Sequence, residues 1–445
     1  MERVLLMTVG TGKKGNEDES MDSQGHGIAY TLKRIYPDKI IFLVTEESKK
    51  TLDYVEKYLE DSILKSRFLK SEKINLSSYS AINTLIKEIS DIFEKNKCNN
   101  LVIVPTFGTK DMSISLSIAG VIYNTEIYSV EGDRENGIVV KGTEKVEEQN
   151  LWYLKNRFCI EKVKEFFKLY RFDSALDKLE EITKAEEFME IYKDLKNIIE
   201  AYIFWDKFDH KNAFLKLKEF ENKTKYKLDK NLKFLEEIYS LRERLKKARE
   251  RYEKTSGDEK LKLENEIKKL KEKELLYLLF DLYSNALRRL EEKKYDDCMA
   301  RFYRIIEFIA QFILWKDYNI SVSEMFGDTS PCDEVFNDNQ NIREKYNIEE
   351  FMRKYCSNEK LKIGLEKCYN LLSDMNNDFG SYINKIKDVL FQRNNSILAH
   401  GIQPIKKDSC IKAKEKTEEL LKKLCEKENC NFEELVDITS FIKEL

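Results

Sequence analysis

The sequence predicts an N-terminal α/β domain of Rossmann-like type followed by an all-α region that ends in a helical bundle. Three observations carry this expectation. Over about the first 150 residues, short β-rich runs alternate with segments of helical period. From Asn150 onward only helical patterns run to Leu445. Four prolines and 15 glycines in 445 residues, with Lys, Glu, Leu and Ile abundant, leave few breakers to interrupt long helices.

Arg3–Val9, Lys39–Thr45 and Asn100–Pro105 are continuous apolar runs, as in strands buried on both faces of a parallel sheet. Gly27–Tyr36, Glu46–Leu59, Ala81–Glu94 and Met112–Tyr123 carry helical spacing and supply right-handed crossovers between them. Glu126–Val130 reads as a further strand. Ile138–Val146, after the turn Asp133-Arg134-Glu135-Asn136-Gly137, closes a hairpin, so the first domain spans residues 1–148. In residues 149–274, the stretch Arg171–Leu179 resembles Lys207–Leu215 at an offset of 36, a two-copy repeat suited to stacked helix hairpins. Leu241, Leu245, Ala248 and Tyr252, then Leu263, Ile267 and Leu270, flank Ser256-Gly257-Asp258 as a charged antiparallel hairpin. Its charge run Lys246–Lys273 reads as a solvated face. From Leu275 apolar and aromatic residues return, and residues 275–445 form a second core.

Lys+Arg 78 against Asp+Glu 81 leaves a net charge of −3, which excludes bulk electrostatic capture of nucleic acid and confines any such site to a local patch. No run of about 18 apolar residues and no basic–apolar–small leader at Met1–Lys14 is present, so a cytoplasmic protein without a membrane span is expected. Nine cysteines scattered from Cys98 to Cys430 form no C-x-x-C, and reduced thiols are expected rather than a disulfide framework or zinc ribbon.

Three segments carry chemistry. Gly10-Thr11-Gly12-Lys13-Lys14-Gly15 matches G-x-G-x-x-G just after a strand, but the dinucleotide fingerprint needs a helix to start within it. Asn16–Asp22 reads instead as an acidic loop that would repel pyrophosphate. The choice is then between a flexible Gly-rich turn and a loop contacting another nucleotide at the carboxyl end of the first strand. Thr106-Phe107-Gly108-Thr109-Lys110-Asp111-Met112 ends a second strand: Gly108 permits close backbone approach, Thr109 offers a hydroxyl, and Lys110 opens a helix where it can meet phosphate. A strand-to-helix turn without function is the alternative there.

The third segment is Phe391-Gln392-Arg393-Asn394-Asn395-Ser396-Ile397-Leu398-Ala399-His400-Gly401. Tyr382, Ile383, Ile386, Val389 and Leu390 give the helix leading into it a buried face. On a continuing helix, Arg393, Ser396, Ile397 and His400 form one stripe, with Arg393 and His400 roughly 10 Å apart along the axis. Gly401 and Pro404 would end that helix. Histidine moves protons near neutrality and arginine grips phosphate without losing charge, which suggests metal-free RNA cleavage with the ribose 2′-hydroxyl as nucleophile. The alternative is a histidine stabilising a helix end beside an arginine in a surface ion pair. His26, His210 and His400 are the only histidines, too few for imidazole metal sites, and no elbow motif supports a Ser-His-Asp triad.

Together these features resemble the CRISPR-associated ribonucleases of type III immunity, in which a nucleotide-sensing CARF domain precedes a HEPN ribonuclease domain. The HEPN signature of Arg, a polar residue and a downstream His is matched by Arg393-Asn394…His400, with six residues between Arg393 and His400. Tyr295–Glu307 looks like the first long HEPN helix. Leu6–Gly12 and Thr106–Met112 look like the CARF ligand loops, with Phe107 where many relatives have a second glycine. The resemblance implies activator contacts from Thr8, Gly10, Thr11, Gly12, Thr106, Gly108, Thr109, Lys110 and Met112. It implies that Arg393 stabilises the phosphorane, His400 moves the proton and Asn394 orients the phosphate or the histidine, with no metal and no cofactor. It further implies a homodimer, single-stranded RNA as substrate, products with 2′,3′-cyclic phosphate and 5′-hydroxyl ends, and cyclic tetra- or hexa-adenylate as allosteric activator. It leaves open a ring-nuclease activity of the CARF domain. The rival class is a non-catalytic nucleotide-sensing regulator whose α-domain recruits a partner; a nicotinamide-dependent enzyme is a distant third.

Overall fold

Val4–Val9 is buried throughout because β1 (Arg3–Val9) lies inside a sheet covered on both faces. Its side chains alternate between two cores: Leu5, Met7 and Val9 pack with Ile28, Leu32 and Phe42, while Val4 and Leu6 pack with Ile89, Phe93 and Leu116. The computed structural model describes residues 2–12, 17–76, 82–96, 100–135, 138–149, 151–182, 186–220 and 225–445. The chain divides into two units, Met1–Phe158 and Cys159–Leu445.

In the first unit β1 is followed by α1 (Glu17–Ile35), β2 (Lys39–Val44), α2 (Ser62–Leu69), β3 (Glu72–Asn75), α3 (Ile82–Asn96), β4 (Asn100–Phe107), α4 (Lys110–Ile122) and β5 (Glu126–Glu131). β6 (Arg134–Glu135) and β7 (Ile138–Val139) form a small ribbon, and β8 (Lys145–Glu148) completes the sheet in the order β3-β2-β1-β4-β5-β8. Every pair is parallel except β5–β8. Leu5 stands opposite Ile40 on one side and Val102 on the other, so the carboxyl ends of β1 and β4 lie together.

The structure corrects four expectations here. α1 starts at Glu17 rather than Gly27, because Glu17, Asp18 and Glu19 occupy its first turn, where carboxylates complement the helix dipole. Glu46–Leu59 forms short 3₁₀ turns at Ser48–Tyr54 and Glu56–Tyr58 instead of an α-helix. β3 is a polar edge strand, Glu-Lys-Ile-Asn, and carries no apolar run to betray it. The expected hairpin divides: β7 pairs only with β6, and β8 returns to β5. Lys13–Asn16, Ala81, Cys98, Asn136, Gly137 and Asn150 lie outside the described residues.

The helical elements begin with α5 (Trp152–Lys168), α6 (Phe172–Glu180), α7 (Glu186–Asp206) and α8 (His210–Lys218). α9 (Asp229–Tyr252) and α10 (Asp258–Glu291) form the expected charged hairpin, closed on Leu241, Leu245 and Leu270. The expected boundary at 274/275 falls inside α10. α11 (Tyr295–Tyr318), α12 (Cys332–Asp338), α13 (Gln340–Lys345), α14 (Ile348–Tyr355), α15 (Leu365–Asp374), α16 (Ile383–Asn394), α17 (Lys407–Glu428) and α18 (Phe432–Thr439) complete the chain. α11 is the spine of this core, with Phe302, Ile305, Ile306, Ile309, Phe312 and Ile313 all buried.

One turn recurs. Tyr170, Phe208 and Lys293 each adopt a left-handed conformation, with φ of 58°, 61° and 63°. The following N–H then reaches back five residues: Arg171 to Phe166, Asp209 to Phe204 and Lys294 to Arg289, each at 2.9 Å. The register of the expected repeat is thereby corrected: the turn aligns Tyr170 with Phe208, an offset of 38 rather than 36, and it occurs again at Lys293 before α11, where Cys298 stands in place of Ala175 and Ala213.

Cys332 and Cys356 are joined by a disulfide, which corrects the expectation of reduced thiols throughout. Cys332 opens α12 and Cys356 follows α14, and the bridge between Pro331 and Lys360 brings their backbones together. A separation of 24 residues leaves no local spacing signal. Cys298, Cys368, Cys410 and Cys425 are buried thiols.

Beyond α18, Phe441 inserts among Phe172, Tyr202 and Trp205, with ring centroids 5.9, 4.7 and 4.7 Å away, and the Arg288 guanidinium lies 3.6 Å from its own centroid. Asn231 holds the segment by donating to the Ser440 carbonyl at 2.8 Å. Phe441→Ala is expected to destabilise the helical unit by about 3–5 kcal/mol, the usual cost of emptying an aromatic site. Urea titration followed by tryptophan fluorescence, to which Trp205 contributes beside Trp152 and Trp315, measures it.

Candidate functional sites

The ends of β1 and β4 touch so closely that only glycine fits. A Cβ on Gly10 would lie 2.4 Å from the Phe107 carbonyl oxygen, and one on Gly108 would lie 2.6 Å from the Thr8 Cβ. Thr8 is buried and its hydroxyl accepts from the Gly108 N–H at 3.0 Å, so it holds the second loop from beneath. Two side chains hold the first loop. The Thr51 hydroxyl donates to the Gly10 carbonyl at 2.8 Å, and the Gln24 amide is assigned with its nitrogen donating to that carbonyl (2.8 Å) and its oxygen accepting from the Gly12 N–H (2.7 Å).

These loops wall a cavity of about 310 Å³. Gly10, Thr11, Gly12, Thr106, Gly108 and Thr109 line it, as does Phe107, whose ring packs against Gly27. Ser20, Ser23 and Gln24 of α1 face it from one side, and Glu131, Arg134 and Glu144 from the other. Three predicted contacts are placed elsewhere: Thr8 lies beneath the cavity, Met112 is buried in the core with Leu116 and Ala119, and Lys110 is exposed outside the lining. Thr109 lines the cavity and also caps α4, its hydroxyl accepting from the Met112 N–H at 3.4 Å. A helix does follow the glycine-rich turn, correcting the reading of Asn16–Asp22 as a loop. Its first turn of three carboxylates still opposes a pyrophosphate.

Glu144 is buried and binds the His26 Nδ1 at 2.6 Å through Oε1, while Oε2 accepts from the Gly142 N–H at 2.7 Å. Behind it, Asp22 meets Lys57, Lys141 and the Tyr58 hydroxyl. Burial pushes the Asp22 carboxyl up, but hydrogen bonds from Lys141, Lys57 and Tyr58 outweigh it and hold the group at about 2.

The second site lies at the end of α16, and it is not a helical stripe. The helix stops at Asn394 because two polar side chains compete for its backbone: Asn395 Nδ2 donates to the Phe391 carbonyl (2.9 Å) and the Ser396 hydroxyl to the Arg393 carbonyl (2.8 Å), while the Asn394 side chain accepts from that of Arg393. The chain then folds back. Gly401 N–H donates to the Ser396 carbonyl (3.1 Å), Gln403 N–H to the Asn395 carbonyl (3.2 Å), and His400 N–H to the Asn394 carbonyl (3.3 Å). Gly401 is obligatory there, since a Cβ would stand 2.0 Å from the Asn395 oxygen. A return loop rather than two helical turns therefore sets the His400 backbone against that of Asn394, next in sequence to Arg393.

His400 is exposed, and its ring has no hydrogen bond among the described residues. Arg393 has no carboxylate partner there either. Its Nη1 donates to Asn394 Oδ1 at 3.3 Å and its guanidinium lies 4.6 Å from the Tyr303 ring centroid. The surface-ion-pair alternative thus finds no counterpart among the described residues, whereas His400 does stand at the end of α16 through its N–H bond to the Asn394 carbonyl. Around the loop stand Phe391, Ile397, Leu398 and Ile402, exposed by 66%, 63%, 55% and 88%.

A family model described as the Csm6 HEPN domain matches residues 267–424, and another described as the Csm6 6H domain matches residues 157–250. The fold is also similar to a solved structure, Enterococcus italicus Csm6 bound to cyclic hexa-2′-fluoro-hexa-dAMP. That likeness has a TM-score of 0.52 at 13% identity, covering 98% of this chain and 97% of that one. The chain belongs to the type III CRISPR-associated CARF–HEPN family. No curated protein matches it in sequence.

Within a CARF–HEPN chain, the residues that sequence reasoning missed are the partners of the motifs. Gln24, Thr51 and Glu144 lie far from the glycine loops in sequence, and a polar residue on a helix or turn is too ordinary to signal. Tyr303 sits inside the segment identified as the first HEPN helix, and an aromatic there reads as core. Gly401→Ala is expected to open the return loop, raising amide hydrogen exchange over residues 395–403 while α10 and α11 keep wild-type protection.

Proposed function

We propose that this protein is a cyclic-oligoadenylate-activated, metal-independent, single-stranded RNA endonuclease of type III CRISPR defence, acting as a homodimer in the cytoplasm. Residues 1–148 serve as sensor, 149–274 as the helical connection and 275–445 as ribonuclease. The observation that carries this reading is the return loop, which sets the His400 backbone against Asn394, next to an Arg393 that no carboxylate among the described residues pairs with.

In this reading the RNA 2′-hydroxyl gives up its proton and attacks the adjacent phosphorus, while the 5′-oxygen leaves with a proton. The products carry a 2′,3′-cyclic phosphate and a 5′-hydroxyl. Arg393 meets the phosphorane charge with its planar fork, Asn394 orients the phosphate or the histidine, and His400 carries a proton. One set offers one proton carrier, whereas the reaction removes one proton and delivers another; two sets across a two-fold axis supply both. The apolar collar of Phe391, Ile397, Leu398 and Ile402 supports such an isologous contact. In the sensor, Ile114, Ile118 and Ile122 form a similar exposed stripe at i, i+4 and i+8 on α4.

The sensor cavity suits nucleosides better than bare phosphate. Glu131 and Glu144 would repel phosphate but accept from an adenine amino group or a ribose hydroxyl, leaving phosphates to Arg134 and to the loop N–H groups that Thr8 and Gln24 do not take. A cyclic tetra- or hexa-adenylate fits this pattern, and the activator must bind the active state better than the inactive one.

His400→Ala is expected to lower cleavage of a fluorescent single-stranded RNA by about 10²–10⁴, and Arg393→Lys to fail comparably, with cyclic hexa-adenylate affinity by calorimetry unchanged in both. Wild-type cleavage should persist in EDTA. Retained turnover in His400→Ala would remove the assignment. Thr109→Val is expected to raise the activator concentration needed while sparing the maximal rate. Ile402→Glu should yield a monomer mass by light scattering together with loss of cleavage; an active monomer would refute the composite cleft.

A further inference from the structure

We infer that Tyr303 is a positioning residue for RNA cleavage, an aromatic rest that presents the Arg393 guanidinium to phosphate without neutralising it. The role rests on the nuclease reading above and adds a residue from a different helix. Tyr303 lies on α11 between the fully buried Phe302 and the anchored Arg304, so its half-buried ring has little freedom to swing. The guanidinium carbon of Arg393 stands 4.6 Å from its centroid, within the range in which a ring face attracts a cation.

The charges around this contact make the aromatic partner informative. Arg304 binds Glu307 at 2.6 Å and Gln311 at 3.0 Å, Arg301 binds Asp297 at 3.1 Å, and Asp388 is taken by Lys416. The neighbouring carboxylates of α11 and α16 are thereby occupied, and Arg393 has none among the described residues. Its one side-chain hydrogen bond, to Asn394 at 3.3 Å, is long. A carboxylate partner would hold the arginine equally still but would fill the fork that phosphate requires. A ring face fixes the plane of the guanidinium through its quadrupole and leaves the N–H donors at the edge unspent. Burial, with Glu307 adding and Arg393 opposing, pushes the Tyr303 hydroxyl up, so the ring stays a neutral phenol at the pH of cleavage. The face therefore acts rather than the hydroxyl.

A contact of this kind is worth roughly three- to thirty-fold in the population of the docked arginine. Cleavage of a fluorescent single-stranded RNA by the full chain, saturated with cyclic hexa-adenylate, tests it. Tyr303→Leu should lower kcat/KM about three- to thirty-fold, with the calorimetric affinity for cyclic hexa-adenylate unchanged. Tyr303→Phe, which keeps the ring, should restore the rate to within about two-fold, an outcome a hydrogen-bonding role for the hydroxyl does not allow. Should the leucine variant fail to fold, Tyr303→Gln carries the same expectation at a half-buried site that tolerates polarity. Wild-type kcat/KM in the ring-less variant, or a loss in Tyr303→Phe as large as that in Tyr303→Leu, would overturn the role. Arg393→Ala in the same assay separates the two levels. If it is inactive while Tyr303→Leu is fully active, only the positioning role falls; if it cleaves normally, the nuclease site itself is misplaced.

Discussion

One buried and one half-buried carboxylate fix the helical unit, and the position of α11 follows from them. Asp281 of α10 is fully buried and accepts from Trp205 Nε1 at 3.0 Å and His210 Nε2 at 2.7 Å. Arg242 can only donate, so its 3.3 Å contact with His210 Nδ1 makes that nitrogen the acceptor and leaves the proton on Nε2, facing Asp281. Asp206 at the end of α7 is held by Arg288, Arg289 and Asn285 of α10. Removing one partner of such a set leaves an uncompensated buried charge, which typically costs about 3–5 kcal/mol. These bonds tie α7, α8 and α9, matched by the 6H model, to α10 within the HEPN model. α11 packs on α10 and presents Tyr303 to Arg393 on α16. His210 is thus a structural residue, despite being one of only three histidines.

The fold was legible wherever burial is two-sided. β1, β2 and β4 read as apolar runs because both faces of each strand meet a core, and their order of connection forces a parallel sheet. β3 was not, because an edge strand with three exposed residues carries neither a run nor an alternation. The start of α1 was misread because Glu17–Glu19 looks like loop composition, yet carboxylates belong in a first helical turn. The third copy of the recurring turn was hidden by Cys298 and by Lys293, a long side chain held in a left-handed conformation that sequence does not announce. The Cys332–Cys356 pair depends on a bridge between loops, a long-range contact that no spacing encodes.

The site divides along the same line. Arg393, Asn394 and His400 were legible as residue types in a known order, but their geometry was not, because helical extrapolation past Asn394 ignores side chains that capture backbone groups. The glycines of the sensor loops were legible for a physical reason: Gly10 and Gly108 mark where two strand ends approach within the distance a Cβ would occupy. Met112 was overassigned, since proximity in sequence to Thr109 does not place an apolar side chain in a polar cavity when a core lies one helical turn away.

Composition and site meet in the way arginines are partnered. A chain with a net charge of −3 has no general field to draw RNA, so a phosphate must be recognised by a cation kept free of carboxylates. On α10 and α11, Arg288, Arg289, Arg301 and Arg304 are all paired with acids and serve the fold. Arg288 also lies on a ring, that of Phe441, but among the described residues Arg393 is the one of these five that has a ring and no acid. In the proposed reading, one tyrosine placed where a carboxylate would serve packing as well leaves the Arg393 fork open to a phosphodiester.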